Sequence, residues 1–478
     1  MNHRADVTII GAGISGLSTA YWFAKDGYSV RVLEKSDRPG GSIQTTEKDG
    51  FLIEHGPNSG METNPLIGQL VEDLDLEDQM IYANDEANNR YIVKDGELHK
   101  LPMSPPLFLK TKLFSGKAKW RVLGELFVGR APEGKNETVA EFVQRRLGPE
   151  FLDYAINPFV AGVFAGDPKN LSVRAAFPKL VALEDNYGGI FKGVIKGRKE
   201  RKKKAKEGEE SKQSAKMFSF RNGLKTLTDA LAKSLGEALV TGVTVESVDS
   251  LDEEDSWSVK YSTDDGTETI RSDAVIFAIP AYATADLVES IDSEAAASLN
   301  AIPYAKVTMI FSGYNAQDVP IELDGFGYLI PEKEQMNILG TIWTSTIFEN
   351  RAPDGKVAFT TFVGGARQPE KIDLDEAQLI DEMKADFATL MGIQADPETI
   401  YLRKWPKAIP QYTPGHLERE AAMDRFEESH PGLFISGNHR GGISVADCIK
   451  NSKPRADSVV NFLDNNSVNE SIKTKIAH

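Results

Sequence analysis

Residues 6–16 read DVTIIGAGISG, and Glu34 stands eighteen residues beyond the last of their glycines. Asp6 to Ile10 form a short, β-branched apolar run ended by glycine, the pattern of a strand buried on both faces. From Gly11 to Asp26 apolar residues (Leu17, Ala20, Tyr21, Ala24) recur at helical spacing, and Gly27 is a helix stop. Ser29 to Glu34 read as a second strand. The chain therefore opens as a βαβ unit with Gly11, Ala12, Gly13, Ile14, Ser15 and Gly16 in its first turn. In that place Gly11 admits the tight turn, Gly13 lets the backbone approach a pyrophosphate, and Gly16 lets helix and strand pack closely. The helix start offers N–H groups and positive potential to phosphates, and Glu34 would accept hydrogen bonds from ribose hydroxyls. The plain alternative, a glycine-rich turn that binds nothing, has to explain why strand, helix and acid all fall in register.

Outward from this turn, the 478 residues suffice for two to three domains. A 41% hydrophobic content and 26% charged residues are ordinary for a globular chain. A formal net charge of −16 argues against a general nucleic-acid surface. The single cysteine, Cys448, allows no intrachain disulfide and fits a reducing, cytoplasmic setting. The seven histidines show no ligand spacing, so no metal site is expected. No cleavable signal and no apolar run of about 18 residues is visible. Lys192 to Lys216 carry eleven Lys/Arg against four Glu. This stretch reads as a solvated low-complexity insertion; the sharper alternative is an electrostatic tether to anionic lipid.

Between Tyr91 and Phe191 the pattern is mostly helical, with a helix over Thr138 to Phe151. Asn222 to Leu235 are a further helix, followed by strands at Leu239 to Val248, Trp257 to Tyr261, Thr269 to Arg271 and Ala274 to Ile279. Ala305 to Phe311, Phe326 to Ile330, Ile338 to Trp343 and Val357 to Phe362 suggest an antiparallel sheet. Gly432 to Gly437 are a last buried strand before a C-terminal helix.

FAD and NAD share the opening fingerprint, and the continuation separates them. Arg38-Pro39-Gly40-Gly41 and then Glu54-His55-Gly56-Pro57-Asn58-Ser59 make a pattern that resembles the flavin amine oxidase superfamily. Further stretches narrow it: 89–96 (NRYIVKDG), 158–168 (PFVAGVFAGDP) with Leu171 and Ser172, 325–331 (GFGYLIP), 350–353 (NRAP), 360–365 (TTFVGG) and 437–445 (GNHRGGISV). Together these resemble the protoporphyrinogen oxidase family, its oxygen-dependent plant type, over nearly the whole chain. The basic insertion is the largest departure.

The resemblance implies an α/β plus α+β chain. A discontinuous Rossmann-like FAD-binding domain would take residues 1–85, 217–298 and 420–478. A helical, membrane-associating domain would take 86–216 and a mixed-sheet substrate domain 299–419. It implies one non-covalent FAD held by the Gly11–Gly16 turn, Glu34, Lys35, Gly40, Gly41, Ser42, Gly56, Pro57, Asn58, Ser59, Leu239, Val240, Trp405, Gly437, Ile443, Ser444 and Val445. It places Arg90 on a substrate propionate, Leu329, Ile342 and Phe362 on the pyrrole rings, and Ala165, Gly166 and Asp167 on the wall opposite the flavin. For the three apolar residues, ordinary sheet core is the plain alternative. No catalytic acid or base stands out; Asp167 reads equally as an Asp-Pro turn. The implied reaction removes six electrons from protoporphyrinogen IX in three flavin cycles, with O2 reduced to H2O2, in heme biosynthesis.

From the net charge no nucleic-acid partner is expected; a monomer or homodimer is, with the next enzyme of the heme pathway as an expected partner. The resemblance also implies peripheral contact with the inner face of a membrane through Leu107 to Val128, where Leu, Phe and Trp alternate with lysines. A rival of near-identical fold is coproporphyrinogen III oxidation, whose substrate brings four carboxylates. A rival of another class is a flavin- and porphyrin-binding protein without catalysis.

Overall fold

A computed structural model describes residues 3–132, 134–197, 215–251 and 256–476. Strand His3–Ile10 lies between Val30–Leu33 and Gly266–Phe277, parallel to both. Leu239–Val240 and Leu433–Ile435 extend the parallel ladder, and Ser256–Thr263 and Thr244–Leu251 continue it antiparallel. Side chains alternate between two apolar cores. Val32, Ala274, Ile276 and Phe434 pack with residues of helices Ile14–Lys25, Lys225–Leu235 and Val445–Ile476. Leu33, Val275, Phe277, Leu433 and Ile435 pack with helices Ala281–Val288, Ser293–Asn300 and His416–Ser429. A sheet covered on both faces needs strands without polar alternation, which is why DVTII and its partners read as continuous apolar runs. The run expected as one strand over Leu239 to Val248 is two, because Gly242 turns with φ +72° and donates its N–H to the Ser36 carbonyl at 2.8 Å.

The second sheet runs, edge to edge, Thr399–Pro410, Tyr304–Asn315, Lys356–Gly364, Gly340–Ile342, Gly325–Leu329, Asn89–Lys94 and Glu97–Lys100. Only the pairing of Gly325–Leu329 with Asn89–Lys94 is parallel. Its back face (Tyr328, Ile310, Tyr314, Phe359, Val363) packs on Leu379, Met383 and Phe387 of helix Glu376–Met391. The hairpin over residues 89–100 corrects the expected boundary at residue 86, which assigned it to the helical segment. Its turn is Asp95-Gly96, both at positive φ (53° and 75°), the geometry a two-residue hairpin turn requires.

Beyond the hairpin the chain is helical as expected. Helices Gly116–Leu123, Val139–Arg146, Asn157–Phe164, Pro178–Tyr187 and Ile190–Lys196 surround a core that includes Val139, Phe142, Val160 and Phe164. Most of the basic insertion, residues 198–214, lies outside the described residues. Among the described residues no helix is long and apolar enough to cross a membrane.

Candidate active site

The turn after the first strand forms a cradle. Gly11 sits at φ +103°, and a Cβ there would lie 2.8 Å from the Ala278 carbonyl oxygen; a Cβ on Gly16 would lie 2.0 Å from the Gly11 carbonyl oxygen. No side chain fits at either place. Gly13 is the opposite case, with nothing within 4 Å of its Cβ position. It precedes helix Ile14–Lys25, whose N-terminus carries no side-chain cap. The first-turn amides are thus left to a ligand, and a phosphate is what such a terminus attracts. The second glycine pair closes the cradle: Gly40 N donates to the Ala12 carbonyl at 2.8 Å, and a Cβ on Gly41 would lie 3.2 Å from the Gly13 Cα.

Glu34 ends its strand with the carboxylate accepting from Ala12 N at 2.7 Å and Ser36 N at 2.8 Å. A carboxylate has about four acceptor positions, so two stay available to a ribose diol. Glu34 N donates to the Val240 carbonyl, which places Leu239 and Val240 beside it. Lys35 and Ser42 are exposed.

The hairpin Thr45–Lys48/Phe51–Glu54 delivers residues 55–59 to the same side. Gly56 is pressed against Ser42, whose carbonyl oxygen lies 2.3 Å from a Cβ position on it. His55 stacks on Tyr401 with ring centroids 4.6 Å apart, and its carbonyl accepts from the Trp405 indole at 2.9 Å. Burial, with Arg403 and Arg38 nearby, lowers the His55 pKa to about 4, so the ring is neutral at neutral pH. His55 Nε2 and Asn58 Oδ1 are buried without a hydrogen-bond partner in the protein. Buried polar atoms are costly to leave so, and a polar ring system bound here would satisfy them. Pro57 and Ser59 are half-buried. The open glycine cradle, the bare helix terminus and these orphaned atoms fit a flavin dinucleotide.

The closing loop departs in part from expectation. Gly437 follows the last parallel strand at φ +135°. The Ser444 hydroxyl, however, donates to Asp447 at 2.5 Å and accepts from Asp447 N, capping the C-terminal helix. Val445 packs in the core that holds Ile14 and Leu17, and Ile443 packs against the Val160–Phe164 cluster. Ser444, Val445 and Ile443 thus spend their side chains on the fold, and Ser444 spends its backbone there as well, its N–H donating to Asp447 at 3.4 Å and its carbonyl accepting from Cys448 N at 2.9 Å.

Arg90, Leu329, Ile342 and Phe362 share the front face of the second sheet, since Gly327 pairs with both Arg90 and Ile342, and Gly340 with both Leu329 and Phe362. All four are half-buried, while their back-face neighbours Tyr328, Thr341 and Val363 are buried. Plain sheet core would be covered on both sides. The Arg90 guanidinium lies over the Phe326 ring at 5.5 Å, and burial lowers its pKa. Among the described residues no carboxylate or carbonyl accepts from it. Lys94, on the same face, donates to the Leu113 carbonyl at 2.8 Å and stands 3.6 Å from Glu150.

Helix Asn157–Phe164 lies across this face: a Cβ on Gly162 would meet Leu329 at 2.8 Å. It ends at Ala165 in the left-handed region (φ +47°), whose carbonyl accepts from Ala366 N at 2.7 Å. Ala165 and Phe362 share one apolar cluster. Asp167 accepts from Lys169 N at 2.9 Å, the turn its Asp-Pro sequence suggested. Sequence reading missed Tyr401, Gln411 and Tyr412. They carry no local motif and meet the site only through tertiary contacts.

A flavin oxidoreductase is what this fold and cradle define, and the chain belongs to the family of flavin-containing amine oxidoreductases, which matches residues 14–460. Within that class its relatives include porphyrinogen oxidases. It is 34% identical to the chloroplastic protoporphyrinogen oxidase of Oryza sativa subsp. japonica, over 96% of this chain and 89% of that one. It is 28% identical to the coproporphyrinogen III oxidase of Bacillus subtilis (strain 168), over 96% and 99%. The fold also matches a solved structure from Exiguobacterium sp. 255-15, provisionally assigned as a protoporphyrinogen oxidase, with a TM-score of 0.78 at 22% identity over 96% and 99% of the two chains.

Proposed function

We propose that this chain oxidises protoporphyrinogen IX to protoporphyrin IX, with O2 as electron acceptor and H2O2 as by-product. The observation that carries this reading is Arg90, a half-buried guanidinium with no anion or hydrogen-bond acceptor among the described residues, on a mostly apolar face. A large apolar macrocycle edged with carboxylates answers both features. A planar guanidinium grips a carboxylate bidentately, while Leu329, Ile342 and Phe362 remove the rings from water. FAD, one per chain and without a covalent bond, fits the cradle; the sole cysteine, Cys448, is packed in the core with Ala446 and Ile449. The flavin supplies a two-electron acceptor for hydride. The protein orients the macrocycle, excludes water and neutralises charge at the mouth.

Coproporphyrinogen III would bring four carboxylates; of the further cations on the front face, Lys94 is already engaged and Arg403, several strands away, lies over the Trp405 ring at 4.8 Å. An aerobic fluorescence assay with both porphyrinogens in parallel, corrected for spontaneous oxidation, tests the reading. Rapid porphyrin formation from protoporphyrinogen alone is expected. Preference for coproporphyrinogen would move the enzyme to that branch, and a flavin-loaded protein inert toward both would reject the substrate.

Membrane contact belongs to the same proposal. Leu107, Leu109, Trp120 and Phe127 are exposed, Phe127 by 90%, among Lys110, Lys112, Lys117 and Lys119. Apolar tips that dip and lysines that snorkel suit a peripheral anchor on an anionic surface.

A further inference from the structure

The dipeptide Gln411-Tyr412 touches both walls of the site. The Tyr412 hydroxyl donates to the Asn438 carbonyl at 2.7 Å and accepts from Gly442 N at 3.0 Å. One side-chain oxygen therefore holds both ends of the loop that returns from the last parallel strand to the C-terminal helix. The Tyr412 carbonyl accepts from Ser172 N at 2.8 Å, and its ring meets Phe164 edge-on at 6.2 Å. Gln411 reaches the other way: its Nε2 donates to the Phe164 carbonyl at 2.8 Å, and a Cβ on Gly166 would lie 2.8 Å from its Oε1.

The support beneath is buried. The His416 ring stacks on Tyr412 at 4.0 Å and 15°. Both His416 and the fully buried His439 are held neutral by burial, with pKa values lowered to about 4 and about 3. His439 fills the space beneath Gly437, where a Cβ would lie 3.0 Å from its ring. A tyrosine clamped by a neutral ring cannot swing away without leaving two backbone groups unsatisfied.

We propose that Tyr412 is a positioning residue: its hydroxyl fixes the loop Gly437–Gly442 against the wall Phe164–Gly166, and so sets the gap between the flavin cradle and the bound substrate. Gln411 fixes the wall end of the same gap. The kinetic part of this inference rests on porphyrinogen oxidation; the flavin-binding part rests on the family alone.

The test uses purified holoenzyme and two variants. Tyr412→Phe removes only the hydroxyl, and about a tenfold rise in the flavin dissociation constant is expected from two lost hydrogen bonds. A changed visible circular dichroism of the bound flavin and about a tenfold lower kcat at nearly constant KM should accompany it. Gln411→Leu should change kcat and KM while flavin affinity stays at the wild-type value. Should Tyr412→Phe fail to fold, His416→Leu, which removes the ring stacked on Tyr412, reads the loop half through flavin affinity and dichroism, wild-type values of both overturning it, while Gln411→Leu decides the wall half. Wild-type flavin affinity, flavin spectrum and kcat in Tyr412→Phe would overturn the proposal, even with a lowered melting temperature, because stability alone would then explain the tyrosine. Wild-type kinetics in Gln411→Leu would overturn the wall half. If neither porphyrinogen is a substrate, flavin affinity and dichroism still read the loop, so the two failures are distinguishable.

Discussion

At the scale of single residues, burial decides which charges are available for chemistry. Arg90 is desolvated and, among the described residues, no anion compensates it, a state that costs energy and that a ligand carboxylate would relieve. Arg90→Ala should raise KM by about 10- to 100-fold, the equivalent of about 1.5–3 kcal/mol for a charge-assisted pair, with the flavin spectrum unchanged. Steady-state kinetics beside a visible spectrum check this, and an unchanged KM would remove Arg90 from the substrate. Glu54 shows burial acting on the opposite charge. Its carboxylate accepts from the Thr45 hydroxyl at 2.7 Å and Leu224 N at 2.8 Å, yet burial outweighs these bonds and lifts its pKa from 4.5 to about 7. The folded state thus binds this proton more tightly than the unfolded chain. The associated stability is complete below about pH 4.5 and is lost as pH rises through about 7. Between about pH 5 and pH 8 the melting temperature should fall less in Glu54→Gln than in the wild type; parallel profiles for the two proteins would refute the assignment.

At the scale of elements, local chemistry explains what was readable in advance and tertiary contact explains what was not. The opening βαβ turn was legible because its requirements fall within a few residues: Gly11 and Gly16 are crowded by backbone and Gly13 is open. The hairpin at Asp95-Gly96 had an equally local turn signal, but a helical reading of the surrounding segment overrode it. Arg90 and its apolar companions were reached through family resemblance, because sheet periodicity sets which residues share a face and not whether that face meets a ligand. Tyr412 was invisible because its partners, Asn438 and Gly442, lie about thirty residues away. The segment Leu107 to Val128 mixes both kinds of information. Its lysines and apolar residues were plain, and the fold adds that Trp120 and Phe127 stay exposed, by 75% and 90%, where a buried helix would hide them. Trp120→Ser combined with Phe127→Ser should therefore release the protein from anionic vesicles in a sedimentation assay while turnover in solution stays at the wild-type rate. Equal sedimentation of variant and wild type would assign these side chains to some other surface.

At the scale of the whole molecule, the flavin sheet and the substrate sheet must keep a fixed spacing, and polar links across their junction hold it. Arg351, 1% exposed, precedes a strand of the substrate sheet yet reaches back toward the flavin side. It donates to the Ser219 hydroxyl at 2.8 Å and the Phe220 carbonyl at 3.1 Å, and its own carbonyl accepts from Leu52 N in the hairpin that carries Glu54. The guanidinium lies over the Phe348 ring at 5.3 Å. Arg351→Met keeps most of the volume but strands the Ser219 and Phe220 acceptors in a dry interior, a loss of about 2–4 kcal/mol. Because Glu54 senses the charge of Arg351, the two sites should not be additive: Glu54→Gln and Arg351→Met together should cost less than the sum of the two alone. Urea unfolding of the wild type, both single variants and the double variant measures this coupling directly. A cost for Arg351→Met within about 0.5 kcal/mol of zero, the scatter of an ordinary surface change, would mean that packing alone joins the two layers and that the arginine is a passenger in the interface.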